Sequence, residues 1–168
     1  MYSDETQIDD LRYYNSGASV DNLEIDNGVS VTSDGDCIKI TTGTSGEKYV
    51  YLPVNTLSSS DDWLFEFEVA KAGNINDFAW ILSPKSYYGA GGGTSSFANL
   101  GGGSPYVSVS TVINVPITIR CENGVMTVKI DNTQINTNSS VSFTGNKVGW
   151  YTNQNRIQYI KNIKLREL

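Results

Sequence analysis

VPITIRCENGVMTVKIDN, residues 115–132, has the clearest local pattern in the chain, that of two antiparallel strands joined by a tight turn. In both arms apolar residues alternate with polar ones, as at Ile117, Ile119, Val128 and Ile130. Asn123-Gly124 between the arms tolerates the positive φ values that a type I′ turn requires. Because an isolated hairpin is marginal in water, the pattern predicts that the rest of the chain supplies a larger antiparallel sheet.

Short strand-like segments separated by turn residues fill the chain from residue 18 onward, and no segment has sustained helical periodicity. This pattern predicts an all-β fold, a two-sheet antiparallel β-sandwich or jelly roll, in a single domain at 18–168 behind an N-terminal arm at 1–17. Besides the hairpin, the predicted strands are LEID (23–26), VSVT (29–32), CIKITT (37–42), KYVYLPV (48–54), WLFEFEVA (63–70), DFAWILS (77–83), YVSVST (106–111), VSF (141–143), KVGWYT (147–152) and IQYIKNIKLREL (157–168).

Composition excludes several classes of function. The 168 residues carry 12 Lys and Arg against 18 Asp and Glu, a formal charge of −6, and no basic stretch, so nucleic acid is not an expected partner. No apolar run approaches the ~20 residues of a membrane span, and the acidic start MYSDE does not resemble a signal peptide. We expect no membrane insertion.

Histidine is absent, which removes the commonest general base and most zinc or copper sites. The two cysteines, Cys37 and Cys121, lie in predicted strands. Cys121 alternates with the apolar face of its strand, whereas Cys37 lies opposite in phase to Ile38 and Ile40. We therefore expect them on different sides of their sheets as two free thiols, with a disulfide as the alternative.

The arm MYSDETQIDDLRYYNSG has two interpretations. Ile8 and Leu11 could share one face of a short helical turn behind Ser3, or the DLRYY portion could extend and pair with the sheet. In either case the arm could dock on other proteins of a larger assembly.

The order of the strand segments resembles the concanavalin A-like lectin/glucanase jelly roll in its laminin-G-like form. The resemblance covers roughly residues 18–168 and is carried by WLFEFEV (63–69), the hairpin with its preceding proline, VGWYT (148–152) and YIKNIKLREL (159–168). It implies that fold. Sugar-binding modules, glycosidases, adhesion domains and virus tail or fibre domains share these patterns, so they say little about function.

The carboxylates do not reproduce a catalytic motif. The glucanase branch uses a Glu-x-Asp-x-x-Glu string, which Glu24-Ile25-Asp26 begins without a second glutamate to complete it. Glu66 and Glu68 share one face of a predicted strand about 7 Å apart, a spacing that inverting hydrolysis permits, yet we expect two solvated carboxylates there and no catalytic residues. Asp34-Gly35-Asp36 could offer oxygens to Ca²⁺, as related modules do, but it lacks the rest of a calcium loop, so we expect no cofactor.

The glycine-rich segment SYYGAGGGTSSFANLGGGSPY, residues 86–106, lacks the spacing of a phosphate loop and is predicted to be a long flexible loop edged by aromatic residues. Pyranose rings stack on aromatic faces while amides bind hydroxyl groups. The predicted ligand-binding residues lie in this segment and at the end of the 147–152 strand: Tyr87, Tyr88, Asn99, Tyr106, Tyr151 and Asn153. Trp63, Trp80 and Trp150 are assigned to the core.

These observations predict a non-catalytic glycan-binding or attachment module. By analogy with the proteins that share its patterns, we expect a phage or virion surface component, such as a tail, fibre or capsid-decorating protein, or another extracellular surface protein. A cell-surface or polysaccharide glycan is the expected partner, with other virion or surface proteins bound through the arm. A structural assembly module without a sugar ligand and a glycoside hydrolase are the alternatives.

Overall fold

The computed structural model describes residues 11–15, 19–44, 46, 48–53, 57–58, 60–71, 78–83, 86–92, 96–99, 106–108, 113–138, 147–152 and 155–168. These residues form strands and turns, and they contain no helix with the length and apolarity that a membrane span requires. The strands are β1 (Leu11–Asn15), β2 (Glu24–Ile25), β3 (Val29–Asp34), β4 (Cys37–Thr42), β5 (Lys48–Tyr51), β6 (Trp63–Lys71), β7 (Phe78–Ser83), β8 (Ser86–Gly92), β9 (Ser96–Asn99), β10 (Tyr106–Ser108), β11 (Ile113–Glu122), β12 (Val125–Ile130), β13 (Thr133–Asn138), β14 (Lys147–Thr152) and β15 (Ile157–Glu167).

The strands form two antiparallel sheets, which confirms the predicted sandwich. The first sheet has the order β13-β12-β11-β6-β15-β4-β3, with β1 paired to β15. The second sheet has the order β10-β9-β8-β7-β14-β5-β2. Each sheet therefore combines strands from distant parts of the chain.

The predicted hairpin is present as β11 and β12, with Ile117 opposite Ile130 and Ile119 opposite Val128. Asn123 and Gly124 have φ values of 51° and 74°, as a type I′ turn requires. Asp131 and Asn132 repeat this geometry with φ values of 49° and 62° and lead into β13, a strand that the sequence analysis did not predict. The predicted strand at 141–143 lies outside the described residues.

The core lies between the sheets and is rich in aromatic rings. Phe65 and Phe67 on β6 meet Trp150 on β14, with ring centroids 5.8 Å and 5.6 Å from that of Trp150. Trp63 and Trp150 are each 1% exposed, which confirms their assignment to the core. Burial of such rings provides much of the favourable free energy of folding.

The arm begins its described part at β1, where Leu11–Asn15 pairs with the end of β15. Of the two interpretations of the arm, the structure therefore has the one in which the DLRYY segment is extended and pairs with the sheet. The helical turn predicted near Ile8 lies outside the described residues.

The two cysteines lie on different sides of the first sheet, as predicted. Cys121 belongs to the core cluster. Cys37 is also buried but lies on the outer face, where its Sγ donates to the carbonyl oxygen of Asp34 at 3.0 Å. The two cysteines do not form a disulfide.

Burial of Cys121 predicts a loss of stability at alkaline pH. Desolvation, with smaller effects of Asp62 and Asp61, raises the pKa of this thiol from its ordinary value of 9.0 to about 11. The unfolded chain ionises near pH 9 while the folded thiol stays neutral, so the free energy of unfolding is unaffected below pH 9 and falls as the pH rises towards 11. Two pKa units correspond to a loss of the free energy of unfolding on the order of 3 kcal/mol. Urea unfolding at neutral and alkaline pH measures this loss, and Cys121→Ala should reduce it; an identical pH dependence in the variant would contradict this origin.

Candidate functional site

Five of the six predicted ligand-binding residues lie in the second sheet. Tyr87 and Tyr88 belong to β8, Asn99 to β9, Tyr106 to β10 and Tyr151 to β14. Asn153 lies outside the described residues. The sheet therefore brings together residues that are up to 64 positions apart in the sequence, from 87 to 151.

The prediction of a long flexible loop at 86–106 was wrong, because this segment contains β8 and β9 and ends at the first residue of β10. Gly91 of β8 pairs with Ala98 of β9, which in turn pairs with Tyr106 of β10. Glycine weakens an isolated strand and was interpreted as a turn signal, but pairing within a large sheet overrides that local preference.

The register places tyrosines at both ends of one row across the second sheet. Val50 faces the core, so its neighbours Tyr49 and Tyr51 take the outer face of β5. From Tyr49, one row of paired backbone positions runs across the sheet from β5 to β10, through Tyr151, Ala79, Gly91, Ala98 and Tyr106. Small residues therefore occupy the middle of this row, between tyrosine positions, and we call it the tyrosine-edged row.

A second row of paired positions crosses the same sheet. Asn99 lies opposite Ala90, and Ala90 lies opposite Trp80, which pairs with Trp150. The register thus places Asn99 in a different row from Tyr106 and Tyr151.

Tyr87 and Tyr88 lie in an irregularity between β7 and β8. Leu82 pairs with Ser86 while its neighbour Ile81 pairs with Gly89, so β8 carries two extra residues between these pairs. Bulges of this kind bend a strand and redirect side chains, and they are frequent beside binding sites.

The sequence analysis missed Tyr49, which is the β5 end of the row, and Tyr51, which lies two residues further along the same strand. Their rings stack with centroids 5.6 Å apart and an interplanar angle of 15°. The amino group of Lys147 lies 5.5 Å from the centroid of Tyr51 and pairs with the carboxylate of Glu24. The alternation of these tyrosines with Val50 was the signal that could have identified them.

The outer face of the first sheet is occupied by ion pairs. Glu66 pairs with Arg166 at 3.1 Å, and Glu68 lies opposite Lys161. Both glutamates are half-buried and have basic residues as neighbours, so they are less solvated than the sequence predicted.

The two carboxylates of the Asp34-Gly35-Asp36 turn each have a lysine counter-ion. Asp34 pairs with Lys71 at 3.3 Å and Asp36 with Lys161 at 2.7 Å. The hydrogen bond from Lys161 lowers the pKa of Asp36. Among the described residues, no cluster of three or more carboxylates or thiols could hold a metal ion.

A shallow groove of about 300 Å³ also crosses the outer face of the first sheet. Leu64, Thr118 and Lys129 are among its lining residues. The Arg120–Glu122 ion pair, at 2.8 Å, is part of its lining. Its described lining contains no aromatic ring, so it has no surface on which a sugar ring could stack.

Comparison with known proteins identifies the fold. No protein-family model and no curated protein sequence matches the chain. The carbohydrate-binding module CBM66 from Bacillus subtilis has a TM-score of 0.57 at 10% identity, over 87% of this chain and 96% of that chain. The carbohydrate recognition domain of Emp47p has a TM-score of 0.61 at 11% identity, over 99% of both chains.

A sialidase gives a TM-score of 0.64 at 10% identity over 94% of this chain, but the chain spans only 19% of that enzyme's length. At such identities these likenesses establish the fold alone. The chain has the concanavalin A-like, lectin-like jelly-roll fold that its sequence pattern resembles.

Proposed function

We propose that this chain is a non-catalytic carbohydrate-binding module that holds a glycan against the outer face of its second sheet. The observation that carries the proposal is the tyrosine-edged row, with Tyr49 and Tyr51 at one end and Tyr106 at the other. Structures with the same fold include a carbohydrate-binding module and a carbohydrate recognition domain, which supports the ligand class.

The dimensions of the row suit an extended glycan chain. Six strands contribute to it, and five spacings of about 4.8 Å give a length of about 24 Å. Alanine and glycine, in the middle of the row, have at most a methyl side chain, and such small residues allow a ligand to approach the backbone closely. Tyrosines at the ends provide faces for stacking and hydroxyl groups for hydrogen bonds.

A catalytic role has less support. The chain lacks histidine, and Glu66 is held by Arg166 in an ion pair on the other sheet. Retaining or inverting glycosidases need two carboxyl groups that flank the scissile bond, one of them protonated. Release of reducing ends from a polysaccharide would instead establish the hydrolase alternative.

An attachment role on a virion or another extracellular surface belongs to the same proposal. Surface glycans are accessible from outside the cell, and a module that binds without cutting them is suited to adhesion. Further surface proteins bound through the N-terminal arm would complete this arrangement.

Removal of the described tyrosines should weaken glycan binding. Once a glycan array has identified a ligand, we expect the Tyr49→Ala/Tyr51→Ala double variant to bind it about 5- to 150-fold more weakly, because hot-spot aromatic rings contribute about 1 to 3 kcal/mol. The Tyr87→Ala/Tyr88→Ala/Tyr106→Ala variant tests in the same way the far end of the row, at Tyr106, together with the two tyrosines of the β8 irregularity. Titration calorimetry measures the affinities.

The matched control is Tyr159→Ala. Tyr159 is also half-buried, but it lies on the first sheet, where the Lys71 amino group is 4.3 Å from its ring centroid. This variant should bind as the parent does. Unchanged affinity in both tyrosine variants, with melting temperatures within a few degrees of the parent, would remove this face as the binding site.

A further inference from the structure

A surface pocket lies between β1 and the segment that follows it. Its volume is about 270 Å³. It is on the first sheet, because β1 pairs with β15, and is therefore separate from the tyrosine-edged row. The lining residues are Tyr13, Tyr14, Asn15, Ser19, Asp21 and Asn22.

Internal hydrogen bonds fix the wall of this pocket. The side-chain amide of Asn15, which is only 6% exposed, donates to the carbonyl oxygen of Ser19 at 2.6 Å and lies 3.3 Å from the hydroxyl of Tyr13. Tyr13 is itself half-buried and packs against the core. The segment from Ser19 is thus held against β1 before any ligand arrives, which limits the ordering cost of binding.

The outer part of the pocket presents an aromatic face and polar groups. Tyr14 is 57% exposed, whereas the other tyrosines whose side chains are described are at least half-buried. The Lys164 amino group lies 6.0 Å from the ring centroid of Tyr14. Asp21 and Asn22 are also exposed, and the hydroxyl of Ser19 is 3.3 Å from the Asp21 carboxylate.

We propose that this pocket binds a single neutral sugar ring, such as the terminal residue of a glycan. Its volume lies just below the roughly 300–1,000 Å³ of sites for drug-sized molecules, which limits the ligand to about one ring. The Tyr14 ring stacks on the apolar face of the sugar, while the Asp21 carboxylate accepts and the Asn22 amide donates hydrogen bonds to vicinal hydroxyl groups. The Asp21 carboxylate disfavours an anionic ligand.

The ligand class follows the proposed function, but the site is a different one. With the tyrosine-edged row on the second sheet, the domain would carry two glycan sites on separate surfaces. Two sites that engage one polysaccharide or one cell surface increase the overall affinity without new contacts.

The test uses protein-detected NMR titration with the methyl glycosides of glucose, mannose, galactose and N-acetylglucosamine. We expect saturable shifts at Tyr14, Asn15 and Asn22 with at least one glycoside, at a Kd of about 1 mM or weaker, as befits one ring. Tyr14→Ala and Asp21→Ala should each weaken binding at least ten-fold, whereas Tyr14→Phe keeps the ring and should stay within about three-fold of the parent.

The Tyr49→Ala/Tyr51→Ala variant separates this proposal from the preceding one. It should retain monosaccharide binding at the β1 pocket even where polysaccharide binding is lost. The proposal is overturned if none of the four glycosides produces saturable shifts at the pocket, if the shifts lie only at the second sheet, or if Tyr14→Ala binds as well as the parent.

Discussion

Trp150→Ala should lower the free energy of unfolding by about 3 to 5 kcal/mol, the range for deleting a large buried ring. Trp150 is 1% exposed and contacts Phe65 and Phe67 across the sandwich, at ring-centroid distances of 5.8 Å and 5.6 Å. Its removal would therefore leave a cavity between the two sheets. Urea unfolding measures the loss, with Ile113→Ala as the control.

Ile113 is 62% exposed, so its replacement should change stability by less than about 1 kcal/mol. Trp150→Phe should cost less than Trp150→Ala, since it keeps part of the ring and removes an indole nitrogen that has no acceptor among the described residues. If Trp150→Ala lowered the free energy of unfolding by less than about 1 kcal/mol, the Trp150 ring would not be packed between the two sheets as described.

Gly149→Ala should lower the free energy of unfolding by about 3 kcal/mol, the upper part of the usual range for overpacking. A methyl group at Gly149 would lie 2.0 Å from the carbonyl oxygen of Val50 and 2.8 Å from the Cα of Tyr51. Both atoms belong to the backbone of the neighbouring strand, which would have to move. The same chemical denaturation experiment measures the effect.

Gly43→Ala is the matched control for this substitution. A methyl group there would meet only the carbonyl oxygen of Gly28, at an ordinary contact distance of 3.7 Å. We expect this variant to be neutral or slightly more stable, because alanine restricts the unfolded chain. Equal stability of both variants would mean that β14 and β5 are not as close as the structure places them.

Local patterns predicted the parts of the fold that depend on local chemistry. Alternation identified β4 and β14 with their bounds, and Asn123-Gly124 identified the turn between β11 and β12. The opposite sides of Cys37 and Cys121 followed from the same alternation.

The candidate site could not be predicted to the same extent, because it depends on pairing between distant strands. Nothing local to Gly91 indicates that it lies between Ala79 and Ala98 in a sheet. The glycines of the 86–106 segment favour turns locally, and only pairing with neighbouring strands makes part of this segment extended. The position of Tyr49 beside Tyr151 likewise arises from pairing between segments about 100 residues apart.

The central claim is that a glycan binds to the outer face of the second sheet, and NMR mapping with a bound oligosaccharide tests it most directly. We expect the largest ligand-induced shifts at Tyr49, Tyr51 and Lys147, which lie on that face. Thr118 and Lys129, in the groove on the first sheet, should be unaffected. Shifts confined to that groove, or no saturable shift with any ligand from the array, would contradict the claim.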